Sequence, residues 1–303
     1  KQEQQELLNI VIVGGGATGI EVAGILSEMK KFVLPNDYPD MPSSLMHIYL
    51  IEAGPRLLAG MSEESSAHAE QFLREMGVNI LLNKRVVDYR DHKVVLEDGT
   101  EIATRTFIWV SGVTGVTIGN LDASLIGRGG RIKVDSFNRV EGMNNVFAIG
   151  DQCIQVADED YPNGHPQLAQ VAIQQGELLA KNLVRMEKGR EMKPFHYRNL
   201  GSMATVGRNR AVAEFSKVKM QGWFAWVMWL VVHLRSILGV RNKVIVLLNW
   251  VWNYFTYDQS MRMIVYARKA KEIRDREKVE ETTHWGKELV QEEKNPSITS
   301  SSK

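Results

Sequence analysis

A glycine-rich turn close behind an apolar run constrains this chain more than any other feature. Residues 9–13, Asn-Ile-Val-Ile-Val, form a short continuous apolar segment, as a strand buried on both faces requires. Gly14-Gly15-Gly16-Ala17-Thr18-Gly19 follows, and then a helical pattern that places Val22, Leu26, Met29 and Val33 on one face. Pro35 and the stretch Asn-Asp-Tyr-Pro-Asp-Met-Pro are expected to end that helix. A second strand is read at His47–Glu52 and a further helix at Glu63–Met76, closed by Gly77. Strand, helix, strand, helix is the rhythm of a doubly wound α/β sheet. In that setting Gly14 allows the tight turn and Gly16 lets the backbone approach a pyrophosphate. Gly19 lets helix and strand pack closely, while the helix start offers free N–H groups and a positive dipole end.

Glu52 closes the second strand, where a carboxylate accepts the ribose hydroxyls of an adenosine and repels a 2′-phosphate, so NADH is favoured over NADPH. The alternative is an ordinary acid at a strand end, and Arg56 nearby leaves room for a phosphate. Glu21, two residues past Gly19, either complements the helix dipole or stands near a nicotinamide; its position alone does not choose.

From Val78 to Val110 the texture changes to short β runs, with Asp98-Gly99 a turn between Lys93–Glu97 and a strand near Thr106–Val110. Asn145–Ile149 reads as another buried strand, delivering Gly150-Asp151 at its carboxyl end. A helix from about Pro166 to Met186 and a hairpin at Ser202–Val206 and Ala211–Phe215 follow. The lone Cys153 excludes a disulfide framework, a thiolate zinc site and a redox-active cysteine pair. The net charge of +1 gives no reason to expect nucleic acid. The seven histidines show no paired ligand spacing, so no metal is expected. His165 is read as a turn histidine, with a place in the site as the sharper alternative.

Asn145-Val146-Phe147-Ala148-Ile149-Gly150-Asp151 resembles the second flavin motif of two-dinucleotide-domain flavoproteins, which implies that Asp151 bonds the ribityl chain of FAD. Thr106–Gly112 is similar to the strand-plus-glycine return, ending at Gly112, between the NADH and FAD domains. Ala169-Gln170-Val171-Ala172-Ile173-Gln174 resembles the quinone-site motif of type II NADH dehydrogenases, the non-pumping NADH:quinone oxidoreductases. Gln170 and Gln174 share a helix face by their spacing. Without the resemblance they read as solvated surface; with it they face flavin and quinone, and Glu21 falls near the nicotinamide and quinone route. The fold implied is a Rossmann-like two-dinucleotide-binding fold with C-terminal membrane-docking helices. Residues 1–113 would bind NADH, 114–190 would be the C-terminal half of an FAD domain, 191–268 a hairpin with docking helices, and 269–303 a charged, disordered tail.

The activity implied passes a hydride from NADH to FAD and electrons to ubiquinone or menaquinone, without proton pumping. Only one glycine loop is present, so the chain is expected to be a fragment lacking the first FAD-binding segment. A non-catalytic NADH-binding membrane module and another pyridine-nucleotide flavin reductase, such as a ferredoxin or disulfide reductase, are the competing readings. Residues 222–232 and 244–257 are apolar, Trp-rich and joined by Arg235, Arg241 and Lys243, as helices lying in a membrane interface require. A buried helical hairpin or a homodimer interface is the alternative there. The expected location is the cytoplasmic face of a bacterial plasma membrane.

Overall fold

The computed structural model describes residues 2–116, 118–216 and 218–256. The chain divides into two units, residues 1–244 and 245–303. The predicted tail, 269–303, and Tyr257 lie outside the described residues.

A short helix, α1 (Gln2–Leu8), leads into β1 (Asn9–Val13), the glycine loop and α2 (Ala17–Glu28). A π-turn at Met29–Val33 and α3 (Leu34–Asp37) continue the same run. Pro35 therefore does not stop the helix. It lies in the first turn of α3, and the run ends at Asp37, inside the Asn-Asp-Tyr-Pro stretch expected to close it. Next come β2 (His47–Ile51), α4 (Glu63–Glu75) and β3 (Val78–Leu81), then an antiparallel meander of β4 (Val86–Arg90), β5 (Lys93–Leu96) and β6 (Glu101–Ala103), and β7 (Thr106–Trp109). The Asp98-Gly99 turn thus joins β5 to β6, a strand the sequence reading passed over. The main sheet is parallel in the order β3-β2-β1-β7.

β1 shows why a continuous apolar run was needed. Ile10 and Ile12 face one side, packing with Ile20 and Ala23 of α2, while Val11 and Val13 face the other, against Val94, Leu96 and Ile102 of the meander. α2 itself is read differently from the expectation. Its buried positions are Gly19, Ile20, Ala23, Gly24 and Ser27, a face of small residues, whereas Val22, Leu26 and Met29 are only partly buried.

Small residues admit a third layer. β10 (Ser202–Gly207), β11 (Arg210–Phe215) and β12 (Val218–Gln221) form an antiparallel sheet, and the predicted hairpin is present around Gly207. Ala204, Val206 and Val212 pack into the core with α2 and α4. Ala211 and Ala213, on the opposite face, meet Ala225 of α6 (Gly222–Ser236). A further helix, α7, spans Val240–Thr256. Glu214 of β11 fastens this layer to α4, because its carboxylate accepts the Ser62 N–H at 3.0 Å and the Ser62 hydroxyl at 2.5 Å just ahead of the helix.

Burial alone would push the Glu214 carboxyl up, but hydrogen bonds from Ser62 and Ser65, with Lys219 nearby, hold it below the ordinary range. A depressed folded-state value contributes stability that is complete above the unfolded value of about 4.3 and is lost as pH falls through the folded value. Glu214→Gln should therefore lower unfolding free energy at pH 7 by about 1–3 kcal/mol, the worth of hydrogen bonds to a charged group. In urea titrations the difference should close between pH 5 and the folded-state value; a constant difference would reject this role.

The segment between the sheet and the hairpin holds β8 (Ile132–Lys133), β9 (Cys153–Ile154) and the long α5 (Ala169–Glu187). The strand expected at Asn145–Ile149 does not form. Phe147 makes an isolated bridge to Arg139, and Val146 is exposed. Its irregular bonds, Val140 N–H to Val146 and Ala148 N–H to Asn138, leave no ladder to extend.

Candidate functional site

The glycine loop is built as its spacing predicts. A Cβ on Gly19 would lie 1.8 Å from the Gly14 carbonyl oxygen, so only glycine lets α2 begin against the turn. Gly14 holds φ +117°, and Gly16 faces open space. No side chain caps the start of α2, so the first-turn N–H groups are free for an anion. Glu52 is wired into this loop: one carboxylate oxygen accepts the Gly15 N–H at 2.6 Å and the other the Gly54 N–H at 2.7 Å. The acid therefore braces the turn beside the position expected for a ribose. The Arg56 guanidinium donates to the carbonyls of Leu58, Ala59 and Met61.

The return from β7 closes the other side of the loop. Ser111 and Val110 backbone atoms lie 3.0 Å from where a Gly14 Cβ would be, and Gly112 follows with φ +83°. From there the chain reaches the second motif directly. Gln152 accepts the Val116 N–H at 2.9 Å and donates to the Val116 carbonyl at 2.6 Å, which ties the stretch leaving the Gly112 return to the Gly150–Gln152 turn.

Gly150 opens a short turn, Gly150–Gln152, with φ +65°. Asp151 is exposed, and α5 starts nearby at Ala169 with no side-chain cap. Gln175 carries this arrangement, although the sequence reading missed it. Fully buried, it accepts the Gly150 N–H at 2.7 Å. Its signal was present: Val171, Gln175, Leu178 and Asn182 follow the spacing of an inward helix stripe, and Gln175 is polar where an apolar residue was due. Cys153 is buried, and burial pushes its thiol up.

Gln170 and Gln174 share a face as expected, but their amides are engaged. Gln170 accepts the Leu200 N–H at 3.2 Å and donates to the Gly201 carbonyl at 3.1 Å. Gln174 does the same at Arg198, at 3.1 and 2.9 Å. Asn182 repeats the pattern at Lys193, at 2.9 and 2.8 Å. Three amides on one helix face thus hold the returning segment 193–201 to α5 as a strand partner would. Around them Ala169, Leu168, Ile173 and Leu200 are exposed.

Glu21 lies beyond the first turn of α2, so complementing the helix dipole is not its role. It is half-buried against β10. Burial pushes its carboxyl up, and a hydrogen bond from the Thr205 N–H and the proximity of His233 pull it partly back. His165 corrects both readings made for it, being buried and paired with Asp158 at 2.9 Å. Among the described residues there is no cluster able to hold a metal and no helix long and apolar enough to cross a membrane. α6 nevertheless exposes Trp223, Phe224, Met228 and Val231 on the side away from the hairpin, and α7 exposes Leu248, Trp252 and Phe255.

Fold and motifs define a class that comparison bears out. Residues 1–176 match the model of the pyridine nucleotide-disulphide oxidoreductases, and the chain belongs to that family. Residues 199–257 match the NDH2 C-terminal domain, which supports the resemblance to type II NADH dehydrogenases that the glutamine motif carries. It is 35% identical to the type II NADH:quinone oxidoreductase NdhA of Mycobacterium tuberculosis, over 82% of this chain and 54% of that one. To the internal alternative NAD(P)H-ubiquinone oxidoreductase A1 of Arabidopsis thaliana it is 32% identical, over 84% and 52%. The chain thus spans about half the length of the curated relatives it matches. The structure of NDH2 from Plasmodium falciparum in complex with NADH superposes with a TM-score of 0.77 at 19% identity, covering 86% of this chain and 69% of that one, which shows the fold.

Proposed function

We propose that this chain forms the NADH-entry and quinone-facing part of a flavin-dependent NADH:quinone oxidoreductase. One observation carries the reading: the open glycine cradle with Glu52, the Gly112 return and the Gly150-Asp151 turn form one connected site through Gly14 and Gln152. The cradle fits the pyrophosphate of NADH, and Glu52 stands where the adenosine ribose would be held. Arg56, engaged elsewhere, offers a 2′-phosphate no partner, which favours NADH over NADPH. FAD fits the second half of the site. Asp151 presents a free carboxylate for a ribityl hydroxyl, and the uncapped start of α5 offers N–H groups and a positive dipole to a flavin carbonyl. Bound flavin supplies the chemistry, taking a hydride and handing on two electrons.

The protein's part is placement. Each glutamine amide keeps one N–H beyond its bond to the strap, and the exposed apolar residues around the pair suit a quinone with a hydrocarbon tail, ubiquinone or menaquinone. Glu21, half-buried and with its carboxyl pushed up by burial, is the residue we assign to holding a proton on that route. The exposed apolar side of α6 docks on the membrane, within the stretch 222–257 read as docking, on the cytoplasmic face of a bacterial plasma membrane; a homodimer through that helix is the competing arrangement. We assign 1–113 to NADH, 114–190 to the flavin half-domain and 191–256 to the hairpin and docking helices; the remainder of the docking region expected to reach 268 lies outside the described residues.

Joined to a first FAD-binding segment and given FAD, a short-chain benzoquinone and vesicles, the chain should consume NADH. Binding of NADH and vesicles without flavin absorbance or NADH consumption would leave the non-catalytic module. Glu52→Gln, which keeps an acceptor but loses the charge, should weaken NADH binding about fivefold, about 1 kcal/mol. Unchanged affinity in an NADH fluorescence titration would remove Glu52 from the site.

A further inference from the structure

A buried Asp158–His165 hydrogen bond that this activity does not use lies behind the glutamine face. Asp158 and His165 are both 5% exposed or less, with Nε2 and Oδ2 2.9 Å apart. The same Asp158 oxygen accepts the Tyr197 N–H at 3.1 Å. Tyr197 follows Phe195, whose own N–H bonds the Ser136 carbonyl at 2.7 Å, and it precedes Arg198, the residue gripped by Gln174. The rings of Tyr161, Phe195 and Tyr197 close around His165 at 5.2, 5.1 and 6.0 Å. Arg131 bonds the His165 carbonyl at 3.1 Å, fixing the far side of the pair. Burial works against a charged Asp158, yet His165 and the N–H groups of Tyr197 and Asp160 hold its carboxyl below the usual range.

This arrangement has a direction. A charged carboxylate in the interior is retained only where its bonds repay desolvation, and one of those bonds holds the strap that orients two amides. Each amide bonds backbone of the strap on both its oxygen and its nitrogen, so its orientation follows the strap's register.

We propose that Asp158, braced by His165, is a positioning residue that sets the register of residues 197–201 on α5 and thereby the orientation of Gln170 and Gln174. It rests on the quinone-face reading of those glutamines for its functional consequence, though not for its structural one. The neighbouring clamp supplies an internal control: Lys193 is held by Asn182, beyond Phe195, and does not depend on Asp158.

Hydrogen exchange read residue by residue on the whole chain tests this. Asp158→Ala should speed exchange at the Arg198 and Leu200 amides about tenfold and leave Lys193 within about twofold, because opening is local. Asp158→Asn, which keeps an acceptor for the Tyr197 N–H, should fall between and guards against a misfolded alanine variant. The Kd for a water-soluble benzoquinone, read by tryptophan quenching, should rise about fivefold in Asp158→Ala. Unchanged exchange at Arg198 and Leu200, or a uniform rise that includes Lys193 in both variants, overturns the proposal. Faster exchange at Arg198 and Leu200 with an unaltered quinone Kd upholds Asp158 as the anchor and rejects the quinone face.

Discussion

Gly24→Ala should destabilise the protein by about 2–3 kcal/mol, against a helix-propensity gain of about 1 kcal/mol that the same change brings in an open helix. The gain follows from replacing the most flexible residue inside α2. The loss follows from what lies opposite: a Cβ on Gly24 would stand 1.8 Å from the Val206 carbonyl oxygen and 2.7 Å from its carbon. Those are backbone atoms of β10, a strand pinned on its other edge by β11, so no side chain can rotate aside. Either α2 lifts from the hairpin or the hairpin shifts, and both loosen Ile20, Ala23, Ala204 and Val206 together. Urea unfolding monitored by circular dichroism decides it. A neutral or stabilised Gly24→Ala would mean that α2 and β10 do not touch as described.

The same contact explains where the sequence was legible and where it was not. β1, the glycine loop, α4 and the hairpin were readable because each is local: an apolar run, a turn composition or an alternation states its own geometry. The inward face of α2 is not the large apolar stripe that the sequence pattern suggests, because Gly19 packs on the Gly14 carbonyl, Gly24 on the Val206 carbonyl of β10, and Ser27 bonds the Met76 carbonyl. Nothing in α2 alone announces a strand that lies nearly two hundred residues ahead. Gly150-Asp151 was found through its motif, although the strand expected to deliver it is absent. What holds the turn instead is Gln175, a buried amide from the next helix. The glutamine pair was legible as a face but not as a clamp, since its partner segment 193–201 has no regular pattern to announce it. Asp158 and His165 show the same limit. An acid and a histidine seven residues apart in a polar stretch look solvated until the aromatic residues at 195 and 197 fold over them.

Gly16→Ala and Gly19→Ala should separate two functions of one loop that sequence alone treats as a unit. Gly16 has φ −75° and open space at its Cβ position, so alanine fits without strain. Its stability should stay within about 1 kcal/mol of wild type, the range for a change at an N-cap that donates no side-chain bond. The added methyl nevertheless stands in the open approach to the free N–H groups of α2. NADH affinity should therefore fall about tenfold, about 1.4 kcal/mol. Gly19 is the reverse case. Its Cβ would penetrate the Gly14 carbonyl, and Gly14 is held in turn by Ser111 behind it and by its N–H bond to Ile51 at 2.9 Å. The turn has nowhere to move, so α2 must, carrying its N-terminus away from the phosphate position and disturbing Leu50 beneath it. Gly19→Ala should lose about 2–3 kcal/mol of stability by overpacking and about a hundredfold or more in NADH affinity. Equilibrium unfolding and NADH fluorescence titration on the two variants give four numbers. A Gly16 variant that binds NADH normally would place the pyrophosphate elsewhere, and a Gly19 variant of native stability would remove the close packing on which this reading of the loop depends.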